Sequence, residues 1–184
     1  MRMAKAQIVT IPDKILTQKT KKVKVIDDDI KALTQTLIDT LNSAKEPEGA
    51  GIASTQIGNP NRVCVVRRFF ESPTIPHGFD YEDMILINPE IISKSKETDV
   101  DWEGCLSIPD VYGEVQRHTK VKVKSLTLSG NEITFTAEDF FARVVQHEID
   151  HLDGILFTSR VIGKAISEKE LDKILQNEAR KNNG

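Results

Sequence analysis

Residues 121–137 constrain the fold more than any other stretch of this chain. "VKVKSLTL" alternates apolar and polar positions, "SGN" turns, and "EITFTA" alternates again, which predicts two antiparallel strands joined as a hairpin. The period then changes from two to that of a helix. Thr136 is the candidate N-cap, with Asp139 at the reciprocal capping position, and a helix is expected from about Ala137 to Leu152, stopped by Gly154. Its face formed by Phe141, Val145, Ile149 and Leu152 is apolar throughout and is expected to dock into the core.

The remaining elements follow from the same signals. Ile30, Leu33, Leu37, Ile38 and Leu41 recur at helical spacing behind Asp27 to Asp29, predicting a helix over 29–43 that Pro47 and Gly49 close. The apolar runs "VCVV" and "MILINPEII" read as strands, and the segment from about Phe70 to Asp83, rich in Pro and Gly, reads as a long loop between them. A third helix is expected from Ser167, where "SEKE" has capping-box spacing and Leu171, Ile174 and Leu175 give a thin apolar stripe; its tail "KNNG" should fray. Strands in the middle with helices around them make an α+β domain, and 184 residues suit a single domain over 1–184.

Composition narrows the function. A formal charge of -3 argues against a dedicated nucleic-acid binder, and no apolar run is long enough to span a bilayer. The lysines at 19, 21, 22 and 24 read as a solvated face. The N-terminal "MRMAKAQIVTIPDK" lacks a signal core, so a cytoplasmic location is expected. Two cysteines, Cys64 and Cys105, make no disulfide framework. Cys64 within "RVCVV" reads as a small buried hydrophobe.

The chemistry concentrates in "RVVQHEIDHLDG", Arg143 to Gly154. Helical geometry puts His147 and His151 one turn apart on one face, so both imidazoles can reach one cation, while Glu148 is placed to address a water beside it. Continuing back along that face, Val144 and Phe140 form an apolar wall. Two histidines are an incomplete set for a catalytic site, and Cys105, Cys64, His77, His118 and the carboxylates are all candidates for the third ligand. His77 and His118 read as surface histidines, and Cys105 follows Gly104, where one backbone can approach another.

Three segments in order, "GAGIASTQ" (Gly49 to Gln56), "EGCLS" (Glu103 to Ser107) and "QHEIDH" (Gln146 to His151), resemble the signature stretches of the peptide deformylases. The likeness extends over the first helix, "LINPEI" and the strand-rich centre. It implies a central metal-binding helix carrying HExxH amid mostly antiparallel strands, with Cys105, His147 and His151 as ligands to one divalent ion. Ferrous iron is the implied physiological metal, with zinc, nickel or cobalt able to take its place. Glu148 would be the catalytic carboxylate, and Gln56 and the Leu106 backbone N–H the oxyanion donors. The implied substrate is the N-formyl-methionine end of nascent polypeptides, met near the ribosome exit by a monomeric enzyme: a metal-activated water attacks the formyl carbon, Glu148 shuttles the proton, and formate leaves.

The same likeness assigns substrate contacts to Ala50, Gly51 and Gly104, through backbone that an extended peptide can pair with, and to Phe140, Val144 and the stem of Arg143 around the methionine side chain. An exposed rim arginine is the competing reading of Arg143. Glu103 and Arg117 are expected to form a supporting pair. Ser54 departs from the family's usual alanine, putting a hydroxyl behind Gln56. A metalloprotease shares H-E-x-x-H but needs a downstream ligand, for which Glu168 is the first candidate; a structural metal domain would need four ligands and no Glu148.

Overall fold

The structure, a computed structural model, describes residues 5–44, 49–72, 74 and 78–182. Helix α1 spans Asp28–Ser43, β1 Gly51–Ala53, β2 Val63–Glu71, β3 Phe79–Lys94, β4 Thr98–Cys105 and β5 Ile108–His118. They are followed by β6 Lys120–Leu126, β7 Glu132–Glu138, α2 Asp139–Leu152, β8 Ile166–Ser167 and α3 Glu168–Asn182. The strands form two antiparallel sheets, ordered β1-β2-β3-β6-β7 and β4-β5-β8. This α+β architecture has the three helices expected. Among the described residues, no helix is long and apolar enough to cross a membrane.

The five-stranded sheet is covered on both faces, which explains the unbroken apolar run in β2. Cys64 and Val66 pack with Val145, Ile149 and Leu152 of α2, whereas Val63 and Val65 pack with Leu33, Leu37 and Leu41 of α1. The predicted core face of α2 is thus in place. Asp27 caps α1 by accepting from the Ile30 N–H at 3.1 Å, and Asp28 and Asp29 complement the positive end of the helix. Glu170 bonds back to the Ser167 N–H at 2.9 Å, the capping geometry expected at the start of α3. Pro47, His77 and the end of the "KNNG" tail lie outside the described residues.

Two expectations are corrected. The segment read as a loop from Phe70 to Asp83 is largely strand: β2 runs to Glu71 and β3 starts at Phe79, with Arg67 opposite Asp83 and Phe69 opposite Tyr81. Cross-strand charge and aromatic pairs sustain this arm where a buried face does not. Thr136 caps nothing, because it pairs with Lys122 in the β6–β7 ladder; that ladder continues to Glu138, so α2 starts at Asp139.

Candidate active site

The end of β4 and one turn of α2 meet between the two sheets. Helical spacing brings His147 and His151 together with ring centroids 4.9 Å apart, and Cys105, the last residue of β4, puts its Sγ 3.2 Å from His151 Nε2. The ligand-type atoms of Cys105, His147 and His151 all lie within 4.8 Å of one another. Among the described candidates for a third ligand, Cys105 is the one brought to the histidine pair. Cys64 is fully buried in β2, and burial, reinforced by the Glu148 charge, pushes its thiol well up. His118 is half-buried rather than on the surface, with Nδ1 2.8 Å from the Ser95 carbonyl. Glu168 lines the neighbouring cavity but does not join the cluster.

A buried carboxylate orients the first histidine. Glu103 Oε2 lies 3.0 Å from His147 Nδ1, while Arg117 binds the same carboxylate through two nitrogens at 2.9 Å each and Arg143 adds a third bond at 2.9 Å. Burial works against the Glu103 charge, but hydrogen bonds from Arg117 and His147 outweigh it and hold the carboxyl well below the ordinary range. An ionised Glu103 only accepts, so His147 donates from Nδ1 and presents Nε2 to the cluster. Burial, then the His147 charge, drives His151 well below its ordinary range, keeping its ring neutral. Burial opposes charge at His147 too, but Cys105 and Glu103 raise it well above the ordinary histidine range.

These features fit a cation. A thiol, two imidazoles and an ionised carboxylate behind them form a pocket that stabilises positive charge, and the donor set suits zinc or ferrous iron. Two buried polar atoms at the same place, Glu148 Oε2 and His151 Nδ1, have no hydrogen-bond partner in the protein. Burial pushes the Glu148 carboxyl up to about 7, with the His147 charge pulling the other way. Glu148 occupies space that only glycine leaves open: a Cβ on Gly51 would stand 2.6 Å from Glu148 Oε1. Gly104 similarly makes room for Tyr112, whose ring would lie 2.6 Å from an added Cβ.

A cavity of about 420 Å³ opens beside the cluster. Ala50, Gly51, Gln56, Gly104, Leu106, Phe140, Arg143 and Val144 line it, together with Cys105, His147 and Glu148, whereas His151 sits behind Cys105. Gln56 lies on a short 3-10 turn, Ser54–Ile57. Its Oε1 accepts from the Ala53 N–H at 2.8 Å, which turns its NH2 toward Cys105 Sγ at 3.5 Å. The Ser54 hydroxyl donates to the Asn61 carbonyl, away from that amide. Arg143 is not an exposed rim residue. It is buried, with its guanidinium on Glu103, on the Val115 carbonyl at 2.9 Å and on Asp99 at 3.0 Å.

Two participants were not anticipated from the sequence. Tyr112 lines the cavity over Gly104, and its phenol is pushed up by burial and then by the Glu168 charge. Asp150, inside H-E-x-x-H, binds Arg117 and receives two bonds from Arg160 at 2.6 and 2.7 Å. Only the strand periodicity around "VYGEV" and the acidic character of Asp150 hinted at them.

Comparison with known proteins bears on the same residues. The family model for polypeptide deformylase matches residues 5–166. The chain is similar to peptide deformylase 2 of Clostridium acetobutylicum, 42% identical over 160 residues covering 86% of this chain and 97% of that protein. It is also similar to peptide deformylase 1 of Bacillus subtilis, 41% identical over 169 residues covering 92% and 97%. Among solved structures, a Met-Ala-Ser-bound class I type b peptide deformylase from Acinetobacter baumannii superposes with a TM-score of 0.76 at 34% identity, covering 86% of this chain and 99% of that one. The peptide deformylase of Thermotoga maritima gives 0.72 at 31% identity over 86% and 99%. With family likeness spanning both the scaffold and the Cys105, His147 and His151 cluster, this chain belongs to the polypeptide deformylase family.

Proposed function

We propose that this chain is a single-domain hydrolase, over residues 1–184, that removes the formyl group from N-formyl-methionyl nascent polypeptides and releases formate. The observation that carries this reading is a buried Glu148 with an unpartnered oxygen beside the Cys105, His147 and His151 cluster in a chain of this family. Cys105 Sγ, His147 Nε2 and a ring nitrogen of His151 would hold one divalent cation, ferrous iron in the cell, with zinc, nickel or cobalt as substitutes. When bound, such a cation acidifies a water and polarises a carbonyl oxygen.

The protein's own groups do the rest. Glu148 takes the proton of the attacking water; its raised affinity for a proton suits both that acceptance and later delivery to the leaving amine. Gln56 Nε2 and the Leu106 N–H donate to the formyl oxygen as negative charge builds there. Phe140, Val144 and the stem of Arg143 enclose the methionine side chain, while the backbone at Ala50, Gly51 and Gly104 pairs with the peptide main chain. Arg143 is well suited to this, since its guanidinium is occupied by Glu103 and only its aliphatic part remains for the cavity. The enzyme acts as a cytoplasmic monomer near the ribosome exit.

Formate release tests the reading. Iron-loaded protein prepared without air should release formate from formyl-Met-Ala-Ser and leave Met-Ala-Ser uncleaved. Hydrolysis of a peptide bond in either peptide, with the formyl group retained, would instead support a protease.

A further inference from the structure

The β2–β3 hairpin carries an aromatic face that none of the steps above uses. Phe69 stands opposite Tyr81, and Phe79, opposite Glu71, is the next β3 residue on that face. The rings of Phe69 and Tyr81 meet edge-on with centroids 5.9 Å apart, and Phe69 lies 6.1 Å from the ring of Phe140, a wall of the catalytic cavity. Arg67 steadies the arm, with Cζ 4.1 Å from the centre of the Tyr81 ring and Nε 2.9 Å from Asp83. The stripe therefore begins at the cavity mouth and becomes more open outward, from half-buried Phe69 to Tyr81 at 42% and Phe79 at 67% exposure.

Sheet topology aims the substrate at this stripe. Among the described residues β1 is an edge strand, paired with β2 alone, with Ala53 opposite Cys64 and Gly51 opposite Val66. The ladder continues where the Arg67 N–H donates to the Ala50 carbonyl at 2.8 Å. A peptide with its formyl end beside Glu148, which packs on Gly51, and its chain running past Ala50 leaves the cavity along the outer arm of β2. Both chains advance about 3.3 Å per residue, so Phe69, Tyr81 and Phe79 would meet side chains roughly three to five residues beyond the methionine.

Resting on the deformylase reading above, we infer that the aromatic face of Phe69, Tyr81 and Phe79 is a second specificity surface, which binds apolar or aromatic side chains at those positions of the formylated peptide. Such side chains gain by covering exposed rings, whereas polar ones do not. The occupant is the substrate itself because Phe140 joins the stripe to the catalytic cavity without a break.

The test compares kcat/KM for formyl-Met-Ala-Ser, formyl-Met-Ala-Ser-Phe-Leu and formyl-Met-Ala-Ser-Ser-Gln, with calorimetric binding of the two deformylated pentapeptides. Wild type should favour the Phe-Leu peptide over the Ser-Gln peptide about three- to tenfold in both readouts. Tyr81→Ser and, separately, Phe79→Ser should bring that ratio toward one and leave formyl-Met-Ala-Ser turnover within about twofold. The exposed Phe79 keeps the test valid if Tyr81→Ser disturbs Arg67. Equal values for the two pentapeptides in wild type, or a preference that survives both variants, would overturn the inference. If no peptide yields formate while Met-Ala-Ser-Phe-Leu still binds preferentially in a Phe79-dependent way, the surface stands and the catalytic reading fails.

Discussion

Glu148 is held between β1 and α2 by burial, and its carboxyl is raised from a free glutamate's 4.5 to about 7. Between those two values the unfolded chain has released a proton that the folded chain keeps, so this group's contribution to stability is full below 4.5 and is lost as pH rises through 7. In metal-stripped protein, wild type should therefore lose on the order of 3 kcal/mol more stability than Glu148→Gln between pH 4 and 8. Urea unfolding at a series of pH values measures it, and parallel pH profiles would contradict the assignment. Gln56→Leu should lower kcat about 10²- to 10³-fold at unchanged metal content, because it removes one donor to the developing charge. Glu103→Gln should weaken metal binding about 10- to 100-fold in a chelator competition, since His147 loses the partner that orients it. The residues legible in advance were those set by local spacing: His147, Glu148 and His151 share one helical turn, and Gln56 and Cys105 came with motif resemblance. Arg143, Asp150 and Tyr112 were harder to read because the groups that define them, such as Glu103 forty positions before Arg143, are supplied by other elements.

Elements with two buried faces or a strict period were legible; those sustained by pairing were not. α1 was anticipated within one residue because its capping aspartate and its Leu33, Leu37 and Leu41 stripe are both local signals. The β2–β3 arm was misread because Pro and Gly near its tip outweighed the Arg67–Asp83 and Phe69–Tyr81 pairs, which show only once the strands are in register. The start of α2 was misplaced for a similar reason, since the pairing of β7 with β6 determines where the strand ends. Leu37, fully buried between α1 and β2, tests the packing: Leu37→Ala should cost about 2 to 5 kcal/mol in urea unfolding. A cost under about 0.5 kcal/mol would mean that α1 does not cover the sheet as described.

At the scale of the molecule, the five-stranded sheet is clamped by α1 and α2, and the three-stranded sheet delivers Cys105 and Glu103 to the open side of α2. The site is assembled from three segments remote in sequence, and each contributes something the others lack: β1 and its following turn the glycine space and Gln56, β4 the thiol and the orienting carboxylate, α2 the histidines and Glu148. That division predicts separable failures, which one paired assay can read. Formate release and bound metal should be measured on the same iron-loaded samples of wild type, Glu148→Ala and Cys105→Ser. Wild type should turn over formyl-Met-Ala-Ser, Glu148→Ala should keep its metal with no turnover, and Cys105→Ser should lose most of its metal. A Glu148→Ala protein that still releases formate at the wild-type rate, or a fully metallated wild type that releases none, would contradict the account.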